Sequence, residues 1–158
     1  VCGQGEGGLA QEGRIRDALL RHKNLGIDTM AFIYHLEGNE QYGPFTRILF
    51  SAVESGECRG VTSVLTLMEA LVRPKEMGDS DMRDDYYFAL TTFPNLTIRD
   101  VDAEVAERAA ELRARRLRPP DALQVATCLV EGGSAFVTND ERLRGIEEPE
   151  IIIMKDYL

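Results

Sequence analysis

Residues 119–140 open with Pro119-Pro120-Asp121-Ala122-Leu123-Gln124-Val125-Ala126, pass through Gly132-Gly133, and end with Ala135-Phe136-Val137-Thr138-Asn139-Asp140; their reading decides the fold. Proline loses no hydrogen bond in a first helical turn, so the pair at 119–120 opens a helix, and the two glycines end it. A short apolar run at 135–138 follows at once and is capped by polar Asn139 and Asp140. The rest of the chain repeats this alternation. Short runs predict strands at 25–28, 59–62, 96–99 and 151–154, with helical periods between them. Such alternation marks the α/β class, and the expected architecture is a three-layer α/β/α sandwich with a mainly parallel central sheet.

Elsewhere the clearest helix spans 102–117. Val105, Ala109 and Leu112 form its apolar stripe, Asp102 can cap it, and Glu104 with Arg108 and Glu111 with Arg115 stand at i,i+4 spacing. The first residues read differently. Gly3, Gly5, Gly7 and Gly8 make a density that resists order, while Ile15, Leu19 and Leu20 predict a short amphipathic helix before Lys23. The expected organisation is an N-terminal extension over 1–23, partly disordered or a short helix, and one domain over 24–158.

With 158 residues, 44% of them apolar, the chain can bury a sizeable core without staples. Cys2, Cys58 and Cys128 are odd in number and far apart, which argues against a disulfide framework and against zinc. No run of 18 apolar residues occurs, and Glu6, Glu12 and Asp17 interrupt the opening where a signal peptide needs an apolar stretch. A cytoplasmic protein with no membrane partner is expected. The net charge of -9 disfavours a passive nucleic-acid coat but suits an enzyme that recruits cations to carboxylates. Gly3 to Gly8 satisfies GxGxxG, yet the strand that must precede a dinucleotide fingerprint is missing, and no P-loop pattern occurs.

Four acids stand where their neighbours are apolar. Asp28 follows Leu25-Gly26-Ile27; Glu69 lies within Val64-Leu65-Thr66-Leu67-Met68-Glu69-Ala70-Leu71; Asp121 is in the first turn of its helix; Asp140 follows the strand 135–138. Singly, Asp28 and Asp140 read as turn or cap residues and Asp121 as a cap, whereas neither role explains Glu69. Together they say more. Ligands of open α/β sheets bind beyond the carboxyl ends of the strands. Two carboxylates about 5 Å apart repel by roughly 3 kcal/mol at an effective dielectric near 20, so converging acids take up protons or hold a cation. Oxygen donors without nearby His or Cys favour Mg²⁺ or Mn²⁺.

Gly26-Ile27-Asp28-Thr29, Thr66-Leu67-Met68-Glu69, Pro120-Asp121-Ala122-Leu123-Gln124-Val125-Ala126 and Val137-Thr138-Asn139-Asp140, in that order, resemble a PIN domain close to the VapC-type toxin ribonucleases of toxin-antitoxin pairs. The resemblance covers about residues 24–158. It implies that Asp28, Glu69, Asp121 and Asp140 form a catalytic quartet holding Mg²⁺ or Mn²⁺, that Thr138 and Asn139 shape the site, and that Thr29 adds a hydroxyl contact. It further implies endonucleolytic cleavage of RNA by metal-activated water, a homodimer, and inhibition by a cognate antitoxin protein. The alternative is a catalytically silent PIN module that binds RNA or a protein partner. A flap-cutting DNA nuclease needs helical additions for which this chain has little room.

Arg113, Arg115, Arg116 and Arg118 make the one dense basic patch, read either as RNA contacts or as favourable charge at a helix C-terminus. Bound divalent ions would let such an acidic protein approach RNA, since their field acts within a Debye length of about 8 Å. The acidic residues Asp79, Asp81, Asp84 and Asp85 read as solvated, with Tyr86, Tyr87 and Phe88 packing inward. His22 and His35 have no nucleophile or partner at useful spacing and read as surface or packing residues.

Overall fold

The structure, a computed structural model, describes residues 4–158; Cys2, Gly3 and the start of the glycine-rich pattern lie outside the described residues. Five strands, β1 (Asn24–Ile27), β2 (Arg59–Ser63), β3 (Leu96–Arg99), β4 (Ala135–Thr138) and β5 (Glu150–Ile153), form one sheet in the order β3-β2-β1-β4-β5, and every pairing is parallel. The helices are α1 (Gln4–Leu20), α2 (Thr29–Glu37), α3 (Gly43–Glu54), α4 (Val64–Glu76), α5 (Ser80–Thr92), α6 (Ala103–Ala114) and α7 (Pro119–Val130), with 3-10 turns at Glu141–Gly145 and Met154–Tyr157.

Strand alternation divides the core between the two faces of the sheet. Leu25, Ile27, Ala135, Val137 and Ile152 pack with Ile15 and Leu19 of α1, Phe32 of α2, and Phe45 and Leu49 of α3. On the other face Phe136 meets Val105, Ala109 and Leu112 of α6 and Ala122, Val125 and Cys128 of α7. The three layers follow from these two cores. Gly26 is what lets α7 lie so close: a Cβ there would stand 2.6 Å from Cys128 Sγ and 2.7 Å from a ring carbon of Phe136. Burial pushes the Cys128 thiol up to about 12 and Cys58 up to about 11, so both stay protonated and pack as small apolar groups.

Several local readings need revision. The first helix is 17 residues long and includes Gly5, Gly7 and Gly8, because Ile15 and Leu19 are fully buried and anchor a helix whose glycine end projects into open space. Of Tyr86, Tyr87 and Phe88 in α5 only Tyr86 packs inward; Tyr87 and Phe88 are 40% and 69% exposed. Three consecutive helical residues span about 200° of arc and cannot share a face. The i,i+4 pairs expected on α6 are replaced: Arg108 pairs with Glu111 at 2.6 Å, and Glu104 with Arg99 at 3.3 Å. Asp102 does cap α6, accepting from Val105 N at 3.0 Å. Among the described residues, no helix is long and apolar enough to cross a membrane.

Strand order places the crevice. Chain progression runs outward from β1 to β2 and β3, then crosses back to β4 and β5, so the topological switch falls between the carboxyl ends of β1 and β4.

Candidate active site

Asp28 sits in that switch. The residue follows β1, its backbone N–H donates to Val137 O at 2.9 Å, and it caps α2. Both carboxylate oxygens are held: Thr29 N donates to Oδ1 at 2.8 Å and the Thr138 hydroxyl to Oδ2 at 2.7 Å. Thr138 in turn accepts from Asp140 N at 3.0 Å, so one side chain at the end of β4 fixes two of the acids. Glu69 projects from α4, which Ser63 caps by accepting from Leu65 N. Asp121 stands in the first turn of α7, opened by Pro119 and Pro120.

The four acids form an electrostatic chain in which Asp28 and Asp121 act on Glu69, and Asp140 acts on Asp28 and Asp121. Burial pushes the Asp28 carboxyl above its ordinary range against the pull of its two hydrogen bonds, and Asp121 and Asp140 push it the same way. Burial raises Glu69, with Asp28 and Asp121 adding to it, and burial and Asp140 raise Asp121. Asp140 moves the other way, because Arg142 hydrogen-bonds it and holds it below the usual carboxylate range. Among the described residues no lysine or arginine bridges Asp28, Glu69 or Asp121.

Beneath the acids runs a buried polar thread that sequence reasoning missed. Thr62 donates to Ile27 O at 2.9 Å and stands 2.8 Å from the Thr66 hydroxyl, which lies 3.0 Å from that of Thr29. Gln124 Nε2 reaches Thr66 at 3.1 Å and Thr29 at 3.3 Å; its Oε1 is buried with no partner among the described residues. The thread ties β1, β2, α2, α4 and α7 together directly under Asp28, Glu69 and Asp121. Its signal was present: Gln124 is a polar residue on an apolar helix face, three positions after Asp121.

The other named residues divide. Asn139 turns away, accepting from Lys155 N at 3.1 Å, and so fixes the chain's last turn rather than facing the acids. Arg113 donates to Leu117 O at 2.9 Å and closes the α6–α7 loop, in which Arg116 takes a left-handed φ of 73°. Arg118 alone of the four arginines acts electrostatically on Asp121 and Asp140. His22 has partners after all. Its Nδ1 lies 2.7 Å from Ser134 Oγ and its Nε2 2.6 Å from Glu150 Oε2, a clasp at the opposite end of the sheet, where β1, β4 and β5 begin.

A donor set of carboxylates and hydroxyls suits a hard divalent cation. Among the described residues no three ligand side chains converge on one point; Asp28 is held by Thr138, and Asp140 by Arg142. Asp28, Glu69 and Asp121 nevertheless fit the chemistry, because none of the three is salt-bridged among the described residues and burial works against the charged form of each.

Sheet order and side-chain placement define an α/β protein with neighbouring carboxylates at its switch point. The PIN domain family matches residues 26–149, and the chain belongs to that family. A toxin-antitoxin complex from Klebsiella pneumoniae is similar in structure, with a TM-score of 0.62 and 22% identity over 83% of this chain and 97% of that one. VapBC2 from Rickettsia felis, bound to a DNA fragment from its promoter, gives a TM-score of 0.66 at 14% identity, over 82% of this chain and 98% of that one. At these identities the two likenesses speak for the fold. No curated protein matches the chain.

Proposed function

We propose that this PIN domain is a Mg²⁺- or Mn²⁺-dependent endoribonuclease, the toxin of a toxin-antitoxin pair. One observation carries the reading: Asp28, half-buried at the switch point, lies within electrostatic reach of Glu69 and Asp121, and none of the three is bridged by a basic side chain among the described residues. Such a cluster is costly unless a cation completes it. When bound, a divalent ion supplies an acidified water and neutralises charge on the leaving oxygen.

The chain's own residues do the rest. Asp28, Glu69, Asp121 and Asp140 are the proposed ligands, oriented by Thr29, Thr138 and the thread through Thr66 and Gln124. Arg118, which acts electrostatically on Asp121 and Asp140, would meet a phosphate of the RNA. A cognate antitoxin protein is the proposed partner, which the likeness to two toxin-antitoxin structures supports, and the active form is proposed as a homodimer.

Purified protein incubated with RNA and Mn²⁺ is expected to cut it. Asp28→Asn and Asp121→Asn should each lose about a hundredfold or more, the scale of several kcal/mol of transition-state stabilisation. Equal cutting by all three proteins would mean a contaminating nuclease and would end the proposal. The bidentate hold of Arg142 on Asp140 favours one rival, a catalytically silent module. RNA binding without metal-dependent turnover in the same assay would select that rival.

A further inference from the structure

Arg142 stands two residues past Asp140, in the 3-10 turn Glu141–Gly145. Its Nη2 lies 2.6 Å from Asp140 Oδ2, and its Nε lies 2.9 Å from Oδ1 and 3.1 Å from Oδ2. The backbone N–H of the same residue donates to Oδ1 at 3.0 Å. Both oxygens of one acid in the crevice are therefore engaged by a side chain of the same molecule. Yet the guanidinium is lightly held: the Arg142 side chain is 54% exposed, against 21% for Asp140. It can swing into solvent while the backbone bond keeps Asp140 in place.

We infer that Arg142 is a built-in competitor of the divalent cation, occupying the Asp140 oxygens that the ion would use and leaving them when the ion binds. The inference rests on the metal-dependent reading above and adds its regulation. A like charge beside the incoming ion opposes binding, and a carboxylate forked by a guanidinium has few lone pairs to offer. Arg142 thus sets how much free metal the site needs before it fills. A purely local role, bracing the turn after β4, predicts no gain in metal affinity when the arginine is removed.

The test is Mn²⁺ binding, measured by calorimetry on the full chain without RNA, for wild type, Asp28→Asn, Arg142→Gln and Arg142→Lys. An exposed ion pair is worth a few-fold in an equilibrium constant, so Arg142→Gln should bind Mn²⁺ about two- to fivefold tighter than wild type. Arg142→Lys, which keeps the charge but loses the fork, should fall between them. Circular dichroism verifies the fold of each variant, and if Arg142→Gln does not fold, the lysine variant decides against wild type alone. Wild type that binds Mn²⁺ through Asp28 while neither Arg142 variant binds more tightly would overturn the role of Arg142 only. Wild type that takes up no Mn²⁺ would overturn the metal reading itself, and the competition with it.

Discussion

Asp28 departs from an ordinary surface carboxylate because burial, the largest influence on it, favours its protonated form. Glu69 and Asp121 are displaced the same way, chiefly by burial. The sign for stability follows from proton linkage. When a folded carboxyl lies above its unfolded value, the native state binds more protons across the interval between the two, so stability falls as pH rises through it and levels off above. A cation that neutralises the three acids removes that penalty where they are charged. Thermal stabilisation by added Mn²⁺, followed by differential scanning fluorimetry, should therefore be larger at pH 7.5 than at pH 4.5; an equal shift at both would speak against these acids as ligands. At Gly26 the effect is steric: Gly26→Ala should cost about 1–3 kcal/mol in urea denaturation, the usual penalty for overpacking a filled core, since the new methyl meets Cys128 and Phe136. Glu69 was legible in the sequence because an acid among apolar neighbours, with no cap or turn to explain it, is anomalous, whereas Asp28 stood out only as one of four acids, since singly it reads as the cap that it is. The partners of His22 were not, because Ser134 and Glu150 reach it only across strands that are far apart in the chain.

Elements were read well where a local rule governs them. Prolines 119 and 120 open α7 as expected, and β3 and β4 span the residues that their apolar runs predict. Strands β1 and β5 begin one residue earlier, since backbone pairing, not apolar character, admits Asn24 and Glu150. The length of α1 was not legible, for propensity argues against a helix through Gly5, Gly7 and Gly8, and tertiary contacts override it. Ile15 lies in the same core as Phe45 and Val137, although residues 1–23 read as an extension of the domain. Its truncation tests how far that extension is structural. Ile15→Ala should destabilise the whole protein by about 2–4 kcal/mol in a single urea transition. A change confined to α1 in hydrogen exchange, with the global transition unmoved, would mean that the helix is an independent appendage.

Across the whole molecule the charge balance sets the terms of the RNA binding proposed above. A net charge of -9 repels a polyanion at long range, so affinity depends on a few local cations. Arg118 is the member of the basic patch that faces the acids, whereas Arg113 is spent on a carbonyl. Removing a single phosphate contact on single-stranded nucleic acid lowers the slope of log affinity against log salt by about 0.7. Arg118→Ala is expected to do so in anisotropy titrations with single-stranded RNA, and Arg113→Ala to leave the slope unchanged; identical slopes for wild type and both variants would remove Arg118 from the RNA path.

The interleaved strand order has a consequence for biosynthesis. Because β4 inserts beside β1, the crevice joins Asp28 to Thr138 and Asp140, which a ribosome adds more than a hundred residues later. A nascent polypeptide halted before β4 leaves the exit tunnel holds only part of the pocket. The enzyme proposed above would then stay inert on the very machine that makes it until β4 and Asp140 have emerged.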